Sequence, residues 1–299
     1  MIGLRQPRRS RRALTLVELF VVVAILLVLL GLLLPAVQRV RDAGNRIQCS
    51  NNLKQIGLAF ASHHEALGAL PMGGGPNWAA RSMAGGFPRQ LKGQAWGWGY
   101  QILPYLDQVE LWRHPSDAVV RATPIPQHFC PTRRKNQVVA GRAMNDYAGN
   151  QGSAFHYNSG YWDDDYHDGT VIGFNNPSPL RMADLTDGIS HTILVGEKRV
   201  NLNHLGTHFD DDDGYVTGMG GWGADAVRGG YDQPAPDYRH PTAGSSDPRR
   251  RWNFGSSHPG IFQVVFADGA VRAISYQIKP LTFRNLCNRH AGNAVEPWD

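Results

Sequence analysis

Three cysteines, two acidic runs and a few histidines are the side chains in this 299-residue chain that could do chemistry. Cys49, Cys130 and Cys287 contain no C-x-x-C pair, so their spacing supports neither a zinc motif nor a thioredoxin-like dithiol. In an oxidising compartment, a bridge from Cys49 to Cys130 would close a loop of about 80 residues and contribute up to about 4 kcal/mol in the chain-entropy model. Cys287 is then most simply the one left over, although spacing alone does not fix the pairing. Asp163-Asp164-Asp165 and Asp210-Asp211-Asp212-Asp213 offer the hard oxygens calcium prefers. Asp163, Asp165, Asp210 and Asp212 are the candidate ligands, but neither run has the spaced EF-hand pattern, and solvated acidic loops are the plain alternative. No metal is assigned on this pattern. His258 and Asp268 would serve an anchored hydrolase, and equally read as a loop-bonding histidine and the first residue of an Asp-Gly turn. Glu197, beyond an apolar run, is a carboxylate that could pair with a base on a neighbouring loop. His63-His64-Glu65 lacks the second spaced histidine of a zinc protease and reads as a solvated turn. Trp78, Trp96, Trp98, Trp162, Trp222 and Trp252, several beside glycines, could stack on sugars or fill gaps among loops. There is no G-x-S-x-G elbow, P-loop, H-E-x-x-H or helix-opening G-x-G-x-x-G, so no catalysis and no cofactor are expected.

The elements that position these residues begin with an uneven charge distribution. Thirty basic and 25 acidic residues give a net charge of +5. Arg5, Arg8, Arg9, Arg11 and Arg12 account for all of it, so the body is electrically balanced and a nucleic-acid partner is not expected. From Leu19 to Leu34 every residue is apolar or glycine, and Glu18 is the only ionisable residue between Ala13 and Val37. Such a stretch can cross a bilayer as a helix. A secretory signal would end its apolar core in small residues at alternate positions, which Leu32-Leu33-Leu34-Pro35-Ala36-Val37-Gln38 does not do. A plain anchor explains the length, and the arginines would keep the N-terminus cytoplasmic. It leaves Glu18 without a reason, since a carboxylate in a membrane helix costs roughly 2.5–3.5 kcal/mol when central.

Arg11-Arg12-Ala13-Leu14-Thr15-Leu16-Val17-Glu18 and the apolar run after it resemble the type IV prepilin leader of pilins and type II secretion pseudopilins. The resemblance implies cleavage after Ala13 by a prepilin peptidase and N-methylation of Leu14. Glycine is the more usual residue before such a cut, and phenylalanine or methionine after it. Glu18 would then pair with the terminal amine of a neighbouring subunit, neutralising two charges in a low-dielectric core. Pro35 falls where such helices often carry a proline kink, or simply bends the helix at the membrane surface. Some pseudopilins hold calcium in a C-terminal loop, which is what keeps the acidic runs in consideration.

Past the apolar segment, Cys49, Leu53, Ile56, Phe60 and Leu67 recur at helical spacing, with polar residues mostly elsewhere. One helix from about Leu16 to about Ala66 is predicted, ended by Gly68, Pro71 and Gly73-Gly74-Gly75-Pro76. Asp184 to Ser190 is a turn-rich lead-in to a strand at Thr192-Ile193-Leu194-Val195. Ile261–Ala267 and Ala270–Tyr276 are β-rich runs around Asp268-Gly269, which predicts a type I′ hairpin with Phe262, Val264, Phe266, Val271 and Ala273 on one face.

Gln48-Cys49-Ser50-Asn51-Asn52-Leu53-Lys54-Gln55-Ile56-Gly57, Ile102-Leu103-Pro104-Tyr105-Leu106-Asp107-Gln108 and Phe129-Cys130-Pro131 are segments that resemble a narrower family, bacterial proteins with prepilin-type leaders and the domain of unknown function 1559, also labelled solute-binding protein family 10. Arg181 to Lys198, which holds Asp184, Asp187 and Gly188, is another, as is His258 nine residues before Asp268-Gly269. The resemblance implies architecture and address rather than chemistry.

The expected fold is α+β: a pilin-like long N-terminal helix packed on a Gly-rich, antiparallel β-containing head. The expected organisation is a leader at 1–13, an assembly and transmembrane helix at 14–37, an amphipathic continuation at 38–68 and an exported head at 69–299. The expected function is that of a single-pass inner-membrane protein, N-terminus inside, assembling through its helix with itself or related pilin-like subunits in a pilus or type II secretion filament. A surface module binding a solute or carbohydrate and an anchored hydrolase are the rivals.

Overall fold

A computed structural model describes residues 16–75, 79–154, 167–173, 178–207, 226–241 and 253–293. The fold is α+β, and the chain divides into two compact units, residues 1–44 and 45–299. Helix α1 spans Leu16–Leu67, with Glu18 in its first turn and Pro35 inside it. In the first unit its most apolar window has no buried residue, and it is long and apolar enough to cross a membrane. Helical structure continues past Pro35.

In the second unit α1 buries most of the predicted stripe: Cys49, Leu53, Ile56 and Phe60 are wholly enclosed, while Leu67 at the helix end is half-buried. Gly68 ends the helix by donating its N–H to the His64 carbonyl at 2.8 Å. His63-His64-Glu65 is a correction to the sequence reading, because only Glu65 is exposed. His63 is buried with Nδ1 2.9 Å from the Ala69 carbonyl, and His64 Nε2 accepts the Met182 N–H at 3.1 Å. The chain returns over this end of the helix, which no local pattern announces.

Two small hairpins, β1 (Met83–Ala84) with β2 (Phe87–Pro88) and β3 (Val138–Val139) with β4 (Arg142–Ala143), flank short helices α2 (Trp98–Gln101), α3 (Val109–Arg113) and α4 (Asp117–Ala122). The central sheet contains β5 (Tyr147–Gly152), β6 (Ile193–Glu197), β7 (Val227–Gly229), β8 (Ile261–Phe266) and β9 (Val271–Ser275), in the order β7-β5-β6-β8-β9. All pairs are antiparallel except β5 with β7, which is parallel. Helix α5 (Pro280–Cys287) follows.

The sheet separates two apolar clusters. One joins the stripe of α1 to Val195, Val265, Tyr147, Trp96 and Trp98. The other joins Phe254, Phe262, Val264 and Phe266 to Ile274 and to Phe283, Leu286 and Cys287 of α5. At Gly57 α1 lies close against the sheet: a Cβ there would lie 2.6 Å from Val265 Cγ2, so a larger residue would push Val265 or the helix aside.

The β8–β9 hairpin forms, but with a different turn and register from those predicted. Gly269 has φ 76°, whereas Asp268 is not among the described non-glycine residues at positive φ, so the turn is not type I′. Gly269 N–H reaches the Phe266 carbonyl at 2.9 Å, and Asp268 Oδ1 takes the Ala270 N–H at 2.8 Å. The loop is therefore one residue longer than a two-residue turn, and Val265 pairs with Val271, Val264 with Arg272 and Phe262 with Ile274. A one-residue slip exchanges the faces. Ile274 joins Phe262 and Val264, while Val271 packs in the other cluster beside Val265.

Two buried histidines give the body a sign-definite response to acid. Burial lowers His63 to about 4, assisted by the charge of His64 and opposed by the bond to Ala69. Burial likewise lowers His128 to about 4, with the charge of Lys198 adding to it. Below about pH 6.5 the unfolded chain takes up protons that the folded chain refuses until about pH 4. Stability therefore falls across that window by on the order of 3 kcal/mol per histidine. Urea denaturation of the full chain in detergent is expected to show a midpoint that drops between pH 6.5 and 4; a flat midpoint would contradict the burial of both rings.

Candidate functional site

Where β5 begins beside the end of β6, a pair of arginines and a pair of aspartates are enclosed together. Asp146 precedes β5, and its side chain has no exposed surface. Its Oδ1 accepts Arg133 Nη1 at 3.0 Å, Arg134 Nε at 2.8 Å and Arg134 Nη2 at 2.6 Å. Burial alone would raise this carboxyl, yet the two guanidiniums outweigh it and hold it down at about 2. Arg133 also grips Asp237 with Nε at 2.9 Å and Nη2 at 3.1 Å, the two-pronged geometry that suits guanidinium and carboxylate.

This ionic layer positions a cysteine. Asp146 Oδ2 accepts the N–H of Cys130 at 2.8 Å, and the Cys130 carbonyl accepts from the N–H groups of Arg133 and Arg134. Facing Cys130 is Cys49 on α1, with the two sulfurs within 4.8 Å of each other. Tyr147 pairs with Glu197 across β5 and β6, which brings the last residue of β6 to the same place. Glu197 Oε2 accepts the Gln263 N–H of β8 at 2.8 Å, leaving Oε1 3.1 Å from His258 Nε2. That nitrogen is also 3.8 Å from Cys130 Sγ. His258 is itself fixed by donating its N–H to Ser256 Oγ at 3.0 Å, which in turn bonds the Ile261 carbonyl.

Cys49, Cys130, Glu197 and His258 thus offer four donor atoms all within 4.8 Å of one another, and all four residues are buried. Burial opposes a charge on His258, but its bonds to Cys130 and Glu197, with the carboxylate charge, raise the imidazole to about 9. The Cys130 thiol is pushed well up by Cys49 beside it and by burial. The pairing of Glu197 with a loop base, anticipated from sequence, is made by His258. All three cysteines are free thiols, and Cys49 and Cys130 are the two brought together.

The remaining sequence candidates lie elsewhere. Asp184 takes the Arg181 N–H at 2.8 Å and pairs with its exposed guanidinium. Asp187 holds the N–H groups of Ala291 and Gly292, and Gly188 supplies a turn at φ 96°. Asp268 caps its own turn, while the Gly269 carbonyl accepts Lys54 Nζ at 2.7 Å, tying the hairpin to α1. Cys287 is buried in the α5 cluster. Trp96 and Trp98 are core residues whose indole N–H groups bond the Ala79 and Ala226 carbonyls, so neither is a sugar platform. Trp78, Trp162, Trp222 and Trp252, the calcium candidates Asp163, Asp165, Asp210 and Asp212, and the processing residues Ala13 and Leu14 fall outside the described residues. Glu18 and Pro35 lie on α1 in the first unit.

Residues 38–281 match the family SBP_bac_10, described as a protein of unknown function, DUF1559. The chain belongs to that family. The matched DUF1559 region contains all four members of the buried cluster and both ion pairs of Arg133. No curated protein matches the chain significantly. No solved structure does either.

Sequence reasoning missed Arg133, Arg134, Asp146 and Asp237 entirely, since a balanced set of charges scattered over a hundred residues leaves no periodic trace. Replacing Asp146 by alanine leaves two arginines enclosed without their shared partner and is expected to cost about 3–5 kcal/mol. Arg181→Ala, at an exposed pair, is expected to change stability by less than about 1 kcal/mol. Urea denaturation of both variants checks the contrast, and equal effects would show that the ionic layer is not enclosed.

Proposed function

We propose that this DUF1559 protein is a membrane-anchored, exported, pilin-like subunit with no catalysis of its own. A prepilin peptidase cuts after Ala13 and Leu14 is N-methylated. The segment Leu14–Val37 sits in the inner membrane with the preceding arginines on the cytoplasmic side, and the second unit is exported. Assembly with copies of itself or with related pilin-like subunits proceeds through the same segment.

The observation that supports this reading is the first unit of α1: a window apolar enough to cross a membrane, none of it buried, with one acidic residue, Glu18, in the opening turn. An apolar surface of this size is covered by lipid, by other apolar helices, or by both in turn. A carboxylate in the first turn, five positions after a cut behind Ala13, stands where the methylated amine of a neighbouring helix can neutralise it.

Intact mass and N-terminal sequencing of the protein from its native membrane are expected to give a mature chain beginning with N-methylated Leu14. A chain retaining Met1, or cut elsewhere, would reduce the reading to a simple anchor. Glu18→Ala is expected to be exported normally and to enter filaments about a hundredfold less, matching the roughly 2.5–3.5 kcal/mol cost of an unneutralised membrane charge. Filaments of the variant at the wild-type level would rule out the pairing.

A further inference from the structure

We infer that Cys49, Cys130, Glu197 and His258 form a closed, four-ligand site for a zinc ion, which clamps the second-unit part of α1 to the central sheet. Two thiolates, one imidazole and one carboxylate are the donor types zinc takes, and the sulfurs exclude the hard cations calcium and magnesium as the fitting occupants.

The spacing matches the metal. Zinc bonds of about 2.3 Å to sulfur and about 2.0–2.1 Å to nitrogen and oxygen place tetrahedral neighbours about 3.5 Å apart for sulfur and nitrogen and about 3.3 Å apart for nitrogen and oxygen. Cys130 Sγ is 3.8 Å from His258 Nε2, which is 3.1 Å from Glu197 Oε1. Closure around an ion needs shifts of a few tenths of an ångström along these edges.

The donors are also held from behind, as metal ligands generally are. Glu197 Oε2 is bonded to the Gln263 N–H, so Oε1 is the oxygen left facing the cluster. The Cys130 backbone is anchored on Asp146, whose Oδ2 accepts its N–H at 2.8 Å. Each ligand comes from a different part of the fold: α1, the loop before Arg133, the end of β6, and the loop before β8. All four are buried, so no coordination position is open to substrate, and the ion's role is structural. Loading proceeds with loss to solvent of the two thiol protons and of the proton that the His258 imidazolium carries, which frees its Nε2 to bind.

The competing chemistry at the same sulfurs is a Cys49–Cys130 disulfide, in which an external oxidant removes two electrons and two protons and His258 and Glu197 remain as a pair. Metal analysis and spectroscopy separate the two. The full chain, purified in detergent from its native membrane without chelator, is expected to carry about one zinc per chain, with Cys49 and Cys130 reduced in the intact mass. Exchange into cobalt(II) is expected to give a thiolate-to-cobalt charge-transfer band in the near ultraviolet and intense tetrahedral d–d bands in the red, a readout that needs no mutation. His258→Ala is expected to weaken zinc binding by at least about tenfold while circular dichroism stays that of the wild type. A chain two hydrogens lighter, with a Cys49–Cys130 bridge and no zinc, would overturn the inference. So would a reduced chain that takes up cobalt(II) without a thiolate band.

Discussion

Asp146 carries a negative charge with no exposed surface, and much of the second unit is arranged to keep it there. Each of its polar groups is engaged: Oδ1 by both arginines, Oδ2 by the Cys130 N–H, its carbonyl by the Lys198 N–H, and its own N–H by the His128 carbonyl. An enclosed carboxylate satisfied in this way fixes the loop after Cys130 and the start of β5 against the end of β6 simultaneously. The arrangement is costly to assemble, because four charges leave water together, and hydrophobic residues of like volume would often be as stable. Its effect here is geometric: the network orients Cys130 toward Cys49 and sets β5 against Glu197.

What sequence conveyed and what it hid divide along the distance over which each signal acts. The stripe of Cys49, Leu53, Ile56 and Phe60 was legible because helical period and burial coincide over one continuous segment. The strands around Asp268-Gly269 were legible for the same reason, yet their facing was not, since it turned on whether Asp268 adopts a left-handed conformation or uses its side chain to cap Ala270. The parallel β5–β7 pair had no local signature at all. The cysteines illustrate the limit most directly. Tested for short-range metal motifs they look inert, because the two that matter are joined by a glutamate and a histidine drawn from a strand and a loop far along the chain.

The two units pose opposite physical problems. The first presents apolar side chains that none of the described residues covers, so its stability depends on its surroundings. The second encloses many polar and charged groups, Lys198 and Arg228 among them, within a Gly-rich scaffold. Beside the apolar clusters on either face of its sheet, this body is held by specific polar contacts between distant segments. The His258–Glu197 contact, the grip of Arg133 on Asp237 and the Lys54–Gly269 tie are all of that type.

The sheet's outer strand carries a further consequence. Among the described residues β9 is an edge, and its one buried position is Ile274, the others being partly or fully open. Its Arg272 lies over the Phe266 ring and within 3.7 Å of Asp268, so a charged side chain is held against the sheet close to its margin. A charge fixed beside an edge strand penalises a second strand laid alongside it. Two copies of this chain that meet edge to edge are therefore steered away from joining their sheets into one.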